Sequence, residues 1–278
     1  MPRLIAIDDP ADARIAPYRD VRERDLVGRD GLFVAEGKVV LEKLVDSTQA
    51  RPQSLLIADK RVAALATLME RLPDDLPVYT ADQPVLDAVA GFPLHRGILA
   101  IGRRVDPPTP DQALAAAAAA GRDVLLLSAI ANHDNMGGIF RNAAGFGAGA
   151  VLLDRDCCDP LYRKAIRVSV GATLLVPFAR LAAGADALAL LDAYGFSPLA
   201  LSPNGAERLA DLRPQGRQAV LLGAEGPGLS PALLARTRSV RIDMADGFDS
   251  LNVATTSGIV LHHLATRDSA VAAGNQPR

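Results

Sequence analysis

Downstream of residue 120, short apolar runs alternate with stretches of helical periodicity. The runs are Val124 to Leu127, Ala150 to Leu153, Leu174 to Val176, Pro198 to Leu201, Ala219 to Leu222 and Val240 to Ile242. Near-continuous apolar strands separated by helices predict a parallel sheet covered on both faces. Ligands of such sheets bind beyond the carboxyl ends of strands, so the loops after Leu127, Leu222 and Ile242 are the places for chemistry. Upstream, Leu32 to Val34 reads as a strand and Val39 to Val45 as an amphipathic helix. Ser54 to Ala58 reads as a strand, Val62 to Arg71 as a helix and Gly97 to Ile101 as a last strand. The whole is α/β. Pro107, Pro108 and Pro110 favour an extended linker, which predicts two domains, residues 1–105 and 106–278, the second able to stand alone. The alanines from Ala115 to Ala120 predict a helix closed by Gly121.

The 278 residues carry a net charge of −2, so any nucleic-acid surface has to be local. The N-terminus lacks the apolar stretch of a secretory signal, and no apolar run is long enough to span a membrane. A cytoplasmic protein is expected. Cys157 and Cys158 are adjacent, which suits neither a disulfide framework nor a zinc site, and no metal is expected. Buried, reduced thiols are the plain expectation.

Three loops concentrate polar residues and glycine. The first runs from Asn132 to Asn142, where Asp134 or Asn135 can cap a helix starting near Gly137 and Gly145 or Gly147 can end it. Ile139, Phe140, Ala143 and Ala144 would form its buried stripe, leaving Arg141 to fold back over the Asn135 loop. The second runs from Leu222 to Pro231, with Ser230 as N-cap and Pro231 opening a helix. Its glycines permit close backbone approach to a ligand. Its order is not the dinucleotide fingerprint, the Walker lysine is missing, and Glu225 would repel a pyrophosphate. A phosphate-free, cationic cofactor suits it better. The third runs from Ile242 to Val253, where Ser250 or Asn252 caps the following helix.

Taken in order, Asn135-x-Gly137-x-x-x-Arg141, Gly223-x-Glu225-Gly226-x-Gly228-Leu229 and Ile242-x-Met244 with Ser250-Leu251-Asn252-Val253 resemble the three motifs of the SpoU/TrmH family of RNA 2′-O-ribose methyltransferases. The stretch Asp159 to Tyr162 through Arg167 to Ala172 is similar to the segment between its motifs. Leu32 to Gly37 and His95 to Ala100 resemble its amino-terminal RNA-substrate domain. One departure is Asn132-His133-Asp134, where family members commonly carry an aspartate and proline. The resemblance implies a parallel α/β catalytic domain with a trefoil knot, a homodimer, RNA as substrate with ribosomal RNA favoured over transfer RNA, and S-adenosylmethionine as cofactor. Cofactor contacts carry over to Leu201, Gly223, Gly226, Ile242, Met244 and Leu251. The catalytic group carries over to Asn135, Arg141, Glu225, Ser250 and Asn252, with Glu225 holding the Arg141 guanidinium. Arginine stays protonated in proteins, which favours Arg141 as an electrostatic stabiliser over a general base.

Candidate RNA contacts are Arg163, Lys164 and Arg167, and the run Arg14, Arg19, Arg22, Arg24 and Arg29, diluted by Asp20, Glu23, Asp25 and Asp30. His95, His262 and His263 read as structural, and His133 as a weaker candidate for substrate contact. A dinucleotide-dependent reductase would need G-x-G-x-x-G after its first strand, whereas Gly145, Gly147 and Gly149 follow a helix. An RNA-binding relative without catalysis would not need the trio intact.

Overall fold

The computed structural model describes residues 2–19, 31–91 and 93–266. Arg22, Arg24, Arg29, Asp20, Glu23, Asp25 and Asp30 lie outside the described residues. The chain forms two compact units, residues 1–106 with 159–175, and residues 107–158 with 176 onward.

In the first unit a five-stranded sheet runs in the order β1 (Leu4–Ala6), β4 (Val78–Ala81), β3 (Ala50–Ala58), β5 (Ile98–Arg104), β2 (Leu32–Glu36). β1, β4 and β3 are parallel, and β5 is antiparallel to both β3 and β2. Leu55, Leu56 and Ile57 are buried at its centre. The helix expected over Val62–Arg71 is instead two 3₁₀ turns, Asp59–Arg61 and Ala63–Leu65, and the short helix Ala66–Met69, none with a side-chain N-cap to start a longer run. A helix not anticipated, Gln83–Ala90, is capped by Asp82, which accepts from the Val85 N–H at 2.9 Å, and ends at Gly91 with φ of 75°.

Residues 159–175, expected with the second domain, pack in this first unit. Leu161, Ala165, Ile166, Ala172 and Leu174 are buried. Arg163, on helix Arg163–Val168, donates from Nε to Glu36 Oε2 at 3.2 Å, and Ser47 Oγ donates to the Leu174 carbonyl. Gly171 has φ of 81°, and a Cβ there would sit 3.0 Å from Lys43 Cβ. In place of the strand expected at Leu174–Val176 there is a 3₁₀ turn, Ala172–Leu174, and the next strand begins at Phe178.

The second unit holds a seven-stranded sheet with every neighbouring pair parallel, ordered β10 (Glu207–Arg208), β12 (Arg238–Arg241), β9 (Phe196–Leu201), β11 (Arg217–Leu222), β6 (Val124–Leu127), β7 (Ala150–Leu153), β8 (Phe178–Arg180). Both faces are covered, and β6 and β7 are buried throughout. Pro110 opens helix Pro110–Ala119 behind a reciprocal Thr109–Gln112 capping box, so only Pro107 and Pro108 stiffen the connection.

Helix His133–Gly145 and helix Val253–Ala265 lie against each other. A Cβ on Gly138 would come within 2.7 Å of Ala254 Cβ. Asn142 Nδ2 donates to the Ala254 carbonyl at 2.7 Å and to Ser257 Oγ at 2.9 Å, and Ser257 is fully buried. These contacts fix the register of the two helices. Among the described residues no helix is long and apolar enough to cross a membrane.

Candidate active site

β9, β11 and β12 are sheet neighbours, so the loops beyond their carboxyl ends face one another. Between them lies a cavity of about 450 Å³, a size suited to a cofactor. All six residues expected to hold a cofactor line it: Leu201, Gly223, Gly226, Ile242, Met244 and Leu251. Glu225, Ser250 and Asn252 join them. Ser202, Pro203 and Thr256 also line it and were not anticipated. The turn composition of Ser202-Pro203-Asn204-Gly205 after an apolar strand was the signal for the first two.

Gly223 is also required by its own loop. A Cβ there would lie 2.3 Å from the Gly228 carbonyl carbon and 2.4 Å from the Leu229 nitrogen. The glycine lets the loop fold onto itself, with Gly228 N–H donating to the Ala224 carbonyl at 3.0 Å. Gly226 and Gly228 have φ of 86° and 67°, backbone that favours glycine. Ser230 caps helix Pro231–Leu234 as expected. Asp243, between Ile242 and Met244, accepts from Arg208 and is paired with Arg241, and the two guanidiniums hold its carboxyl below the usual range.

The polar wall is built by two helix starts. Helix His133–Gly145 begins four residues earlier than expected, because Asn132 and not Asp134 or Asn135 is the N-cap: its Oδ1 accepts from the Asp134 and Asn135 N–H groups. Asn135 is thereby free to point its side chain elsewhere, and it is buried. Ile139, Phe140 and Ala143 face the core, whereas Ala144 is exposed. Asn252 is the N-cap of Val253–Ala265, with Oδ1 accepting from Ala254 N–H at 2.9 Å and Thr255 N–H at 3.2 Å. That leaves only its amide nitrogen to face the cavity. Asn252 Nδ2 donates to Asn135 Oδ1 at 2.8 Å and to Glu225 Oε1 at 3.1 Å. One side chain thus caps a helix and ties residues of all three motif loops together.

Arg141 stands apart. It is exposed and has no hydrogen bond or ion pair among the described residues. Six positions along a helix rotate it by roughly 240° from Asn135, which explains why it does not reach Glu225. The expected Glu225–Arg141 pair is therefore absent among the described residues, and Glu225 accepts from Asn252 instead.

The loop after β6 does not line the cavity but sets Asn132. Ala129 there has φ of 54°. Asp154, at the end of β7, accepts from the Ala129 N–H at 2.9 Å, from Ser128 Oγ at 2.8 Å, and from the Cys157 and Asp156 N–H groups. Partial burial raises its pKa, but these donors outweigh it and leave the carboxyl below its ordinary value. Burial, with Asp154 alongside, pushes the Cys157 thiol up to about 12, in keeping with a buried, unreactive sulfur.

Comparison with known proteins places these features together. The SpoU rRNA Methylase family matches residues 123–262. An uncharacterized tRNA/rRNA methyltransferase of Mycobacterium bovis is 41% identical, over 91% of this chain and 89% of that protein. A 23S rRNA (guanosine-2′-O-)-methyltransferase of Acinetobacter baylyi is 28% identical, over 73% of this chain and 83% of its own. The crystal structure of an AdoMet-bound rRNA methyltransferase from Sinorhizobium meliloti superposes with a TM-score of 0.78 at 21% identity, covering 95% of this chain and 98% of that one.

Proposed function

Since the chain belongs to the SpoU rRNA methylase family, we propose that it is a cytoplasmic enzyme that moves the methyl group of S-adenosylmethionine onto a ribose 2′-hydroxyl of RNA. Ribosomal RNA is the favoured substrate and transfer RNA the alternative. The observation that carries this reading is the Asn135–Asn252–Glu225 chain at the wall of a cavity formed by three strand-end loops. The matching 2′-O-methyltransferase of Acinetobacter baylyi supports the ribose hydroxyl.

The cavity suits the cofactor in size, and backbone from the glycine loop and from Ile242 to Met244 is available to the adenine and methionine parts. Glu225 supplies negative charge beside a sulfonium. When bound, S-adenosylmethionine supplies an electrophilic methyl carbon, and its transfer requires the ribose oxygen, that carbon and sulfur to lie in line. Asn135, Ser250 and Asn252 orient the ribose. Arg141 stabilises the developing alkoxide, and its exposure means that substrate or a second copy of the chain must bring it to the site. A homodimer is the assembly we favour: Phe146, just past the end of helix His133–Gly145, and Ile259, on helix Val253–Ala265, are exposed apolar side chains. The family's trefoil knot is part of the same proposal. The 202–206 loop passes close to the end of β12, where a Cβ on Gly205 would lie 2.3 Å from the Val240 carbonyl carbon.

The test is methyl transfer from tritiated S-adenosylmethionine to total RNA of a strain lacking the gene. Label is expected in ribosomal RNA, in alkali-resistant dinucleotides diagnostic of 2′-O-methylation. Label on bases would overturn the ribose assignment, and label in transfer RNA alone would move the substrate.

A further inference from the structure

We propose that the basic end of the five-stranded sheet, built on Lys60, Arg61, His95 and Arg96, grips the sugar-phosphate backbone of the substrate RNA. The proposal rests on reading the first unit as the RNA-substrate domain.

Sheet register brings these residues together. Ala58 pairs with Ala81, Ile57 with Ile98 and Glu36 with Leu99. The Ala58 N–H donates to the Gly97 carbonyl at 2.8 Å, and the Gly37 N–H to the Ile98 carbonyl at 3.0 Å. The turns at Gly37, Asp59–Arg61 and His95–Gly97 therefore share one end of the sheet.

Two of the arginines are bedded on glycine. Gly37 has φ of 90°, and the space its Cβ would fill is occupied by Arg96, whose Cδ and Nη1 lie 2.9 and 3.1 Å from that point. Gly97 has φ of 61°, and Arg61 Cγ lies 3.6 Å from its would-be Cβ. The stems are supported by backbone while Lys60, Arg61, His95 and Arg96 remain exposed.

Two of the acids at this end are engaged elsewhere: Glu36 is buried against Arg163 and Asp82 caps its helix. Asp87 accepts from the Leu94 N–H and from Gln83 Nε2, and these bonds, with the nearby His95 and Lys60, hold its carboxyl below the ordinary value, so it offsets part of the charge on that side of the patch. Lys38 faces Glu42 at 3.8 Å, and Asp59 is exposed beside Lys60. Lys60, Arg61 and Arg96 have no ion pair among the described residues. The β1 corner of the same end carries Asp8, Asp9 and Asp12. An RNA strand is thus steered over the β3–β5–β2 side, away from β1. A guanidinium fork suits phosphate oxygens, and such contacts position RNA without reading its sequence. A local patch of this kind also reconciles RNA binding with a net charge of −2.

The test uses the full chain and a short fluorescein-labelled RNA hairpin, with binding followed by anisotropy between roughly 50 and 200 mM salt. Lys60→Glu, Arg61→Glu and Arg96→Glu combined should weaken binding more than about tenfold and flatten the log–log salt slope by about two to three. S-adenosylmethionine affinity, measured by calorimetry, should be unchanged. Arg51→Glu, an exposed cation at the opposite end of β3, should leave both affinity and slope as they were. A triple variant that binds like wild type, or an Arg51 variant that loses as much, overturns the location while the proposed function stands. Wild type that neither binds this hairpin nor labels any RNA would take down the functional reading as well.

Discussion

Asn252 concentrates two tasks that substitution can separate. Serine caps helices about as well as asparagine but has no amide nitrogen to reach Glu225 and Asn135. Asn252→Ser should therefore melt within a few degrees of wild type while methyl transfer falls by about 10²-fold, the scale of losing one transition-state donor. Alanine should lose the cap as well, about 1 kcal/mol. Equal melting losses for the serine and alanine variants would mean that the cap is not what Oδ1 provides. Arg141 poses the opposite question, because it touches nothing in the cluster it is expected to serve. A lysine there keeps the charge but loses the planar fork. If Arg141 stabilises an alkoxide, Arg141→Lys should be impaired at every pH, with cofactor affinity unchanged. Single-turnover rates that climb toward wild type under alkaline conditions would make it a general base. The Asn-x-Gly-x-x-x-Arg spacing identifies both residues, but not that they diverge around the helix or that Asn252 bridges Asn135 and Glu225. Such facts depend on how two distant helices pack, which no local pattern encodes.

Among the elements, those with strong local signals were legible and those dependent on partners were not. β6 and β7 occupy the predicted residues because each is a four-residue apolar run flanked by polar or glycine residues. β1 and β4 are three and four residues long, and their identity comes from pairing with each other and with β3. The loop after β6 carries Asn132 and is held in place by Asp154. This has a pH consequence. The folded pKa of Asp154 lies below its usual value, so its contribution is present above the unfolded pKa of about 3.9 and is lost as pH falls through the folded value. Asp154→Asn should consequently cost stability in urea melts near neutrality, by about 1–3 kcal/mol for a partly satisfied buried group. The gap to wild type should narrow at pH 3. A gap that is constant with pH would show that hydrogen-bond geometry alone, not ionisation, matters there.

At the scale of the whole molecule, the proline seam coincides with one of three places where the chain passes between its compact units. The chain crosses between units near residues 106, 158 and 175. Residues 106–278 alone should not behave as the self-sufficient domain that the seam suggests. Leu161, Ile166 and Leu174 would lose the partners that bury them, and an apolar cluster would be exposed. The truncated chain is expected to bind ANS and aggregate, and replacing those three side chains with serine should restore solubility. Full solubility without the replacements would show that the segment finds other cover. The same crossing bears on how the protein is made. A ribosome delivers residue 106 about seventy residues before it delivers residue 175. At roughly 5–20 residues per second, the amino-terminal unit waits about 4–14 s for the piece that completes its core. During that interval the strand and cap residues of the catalytic sheet are already emerging, so the two halves mature together rather than in sequence.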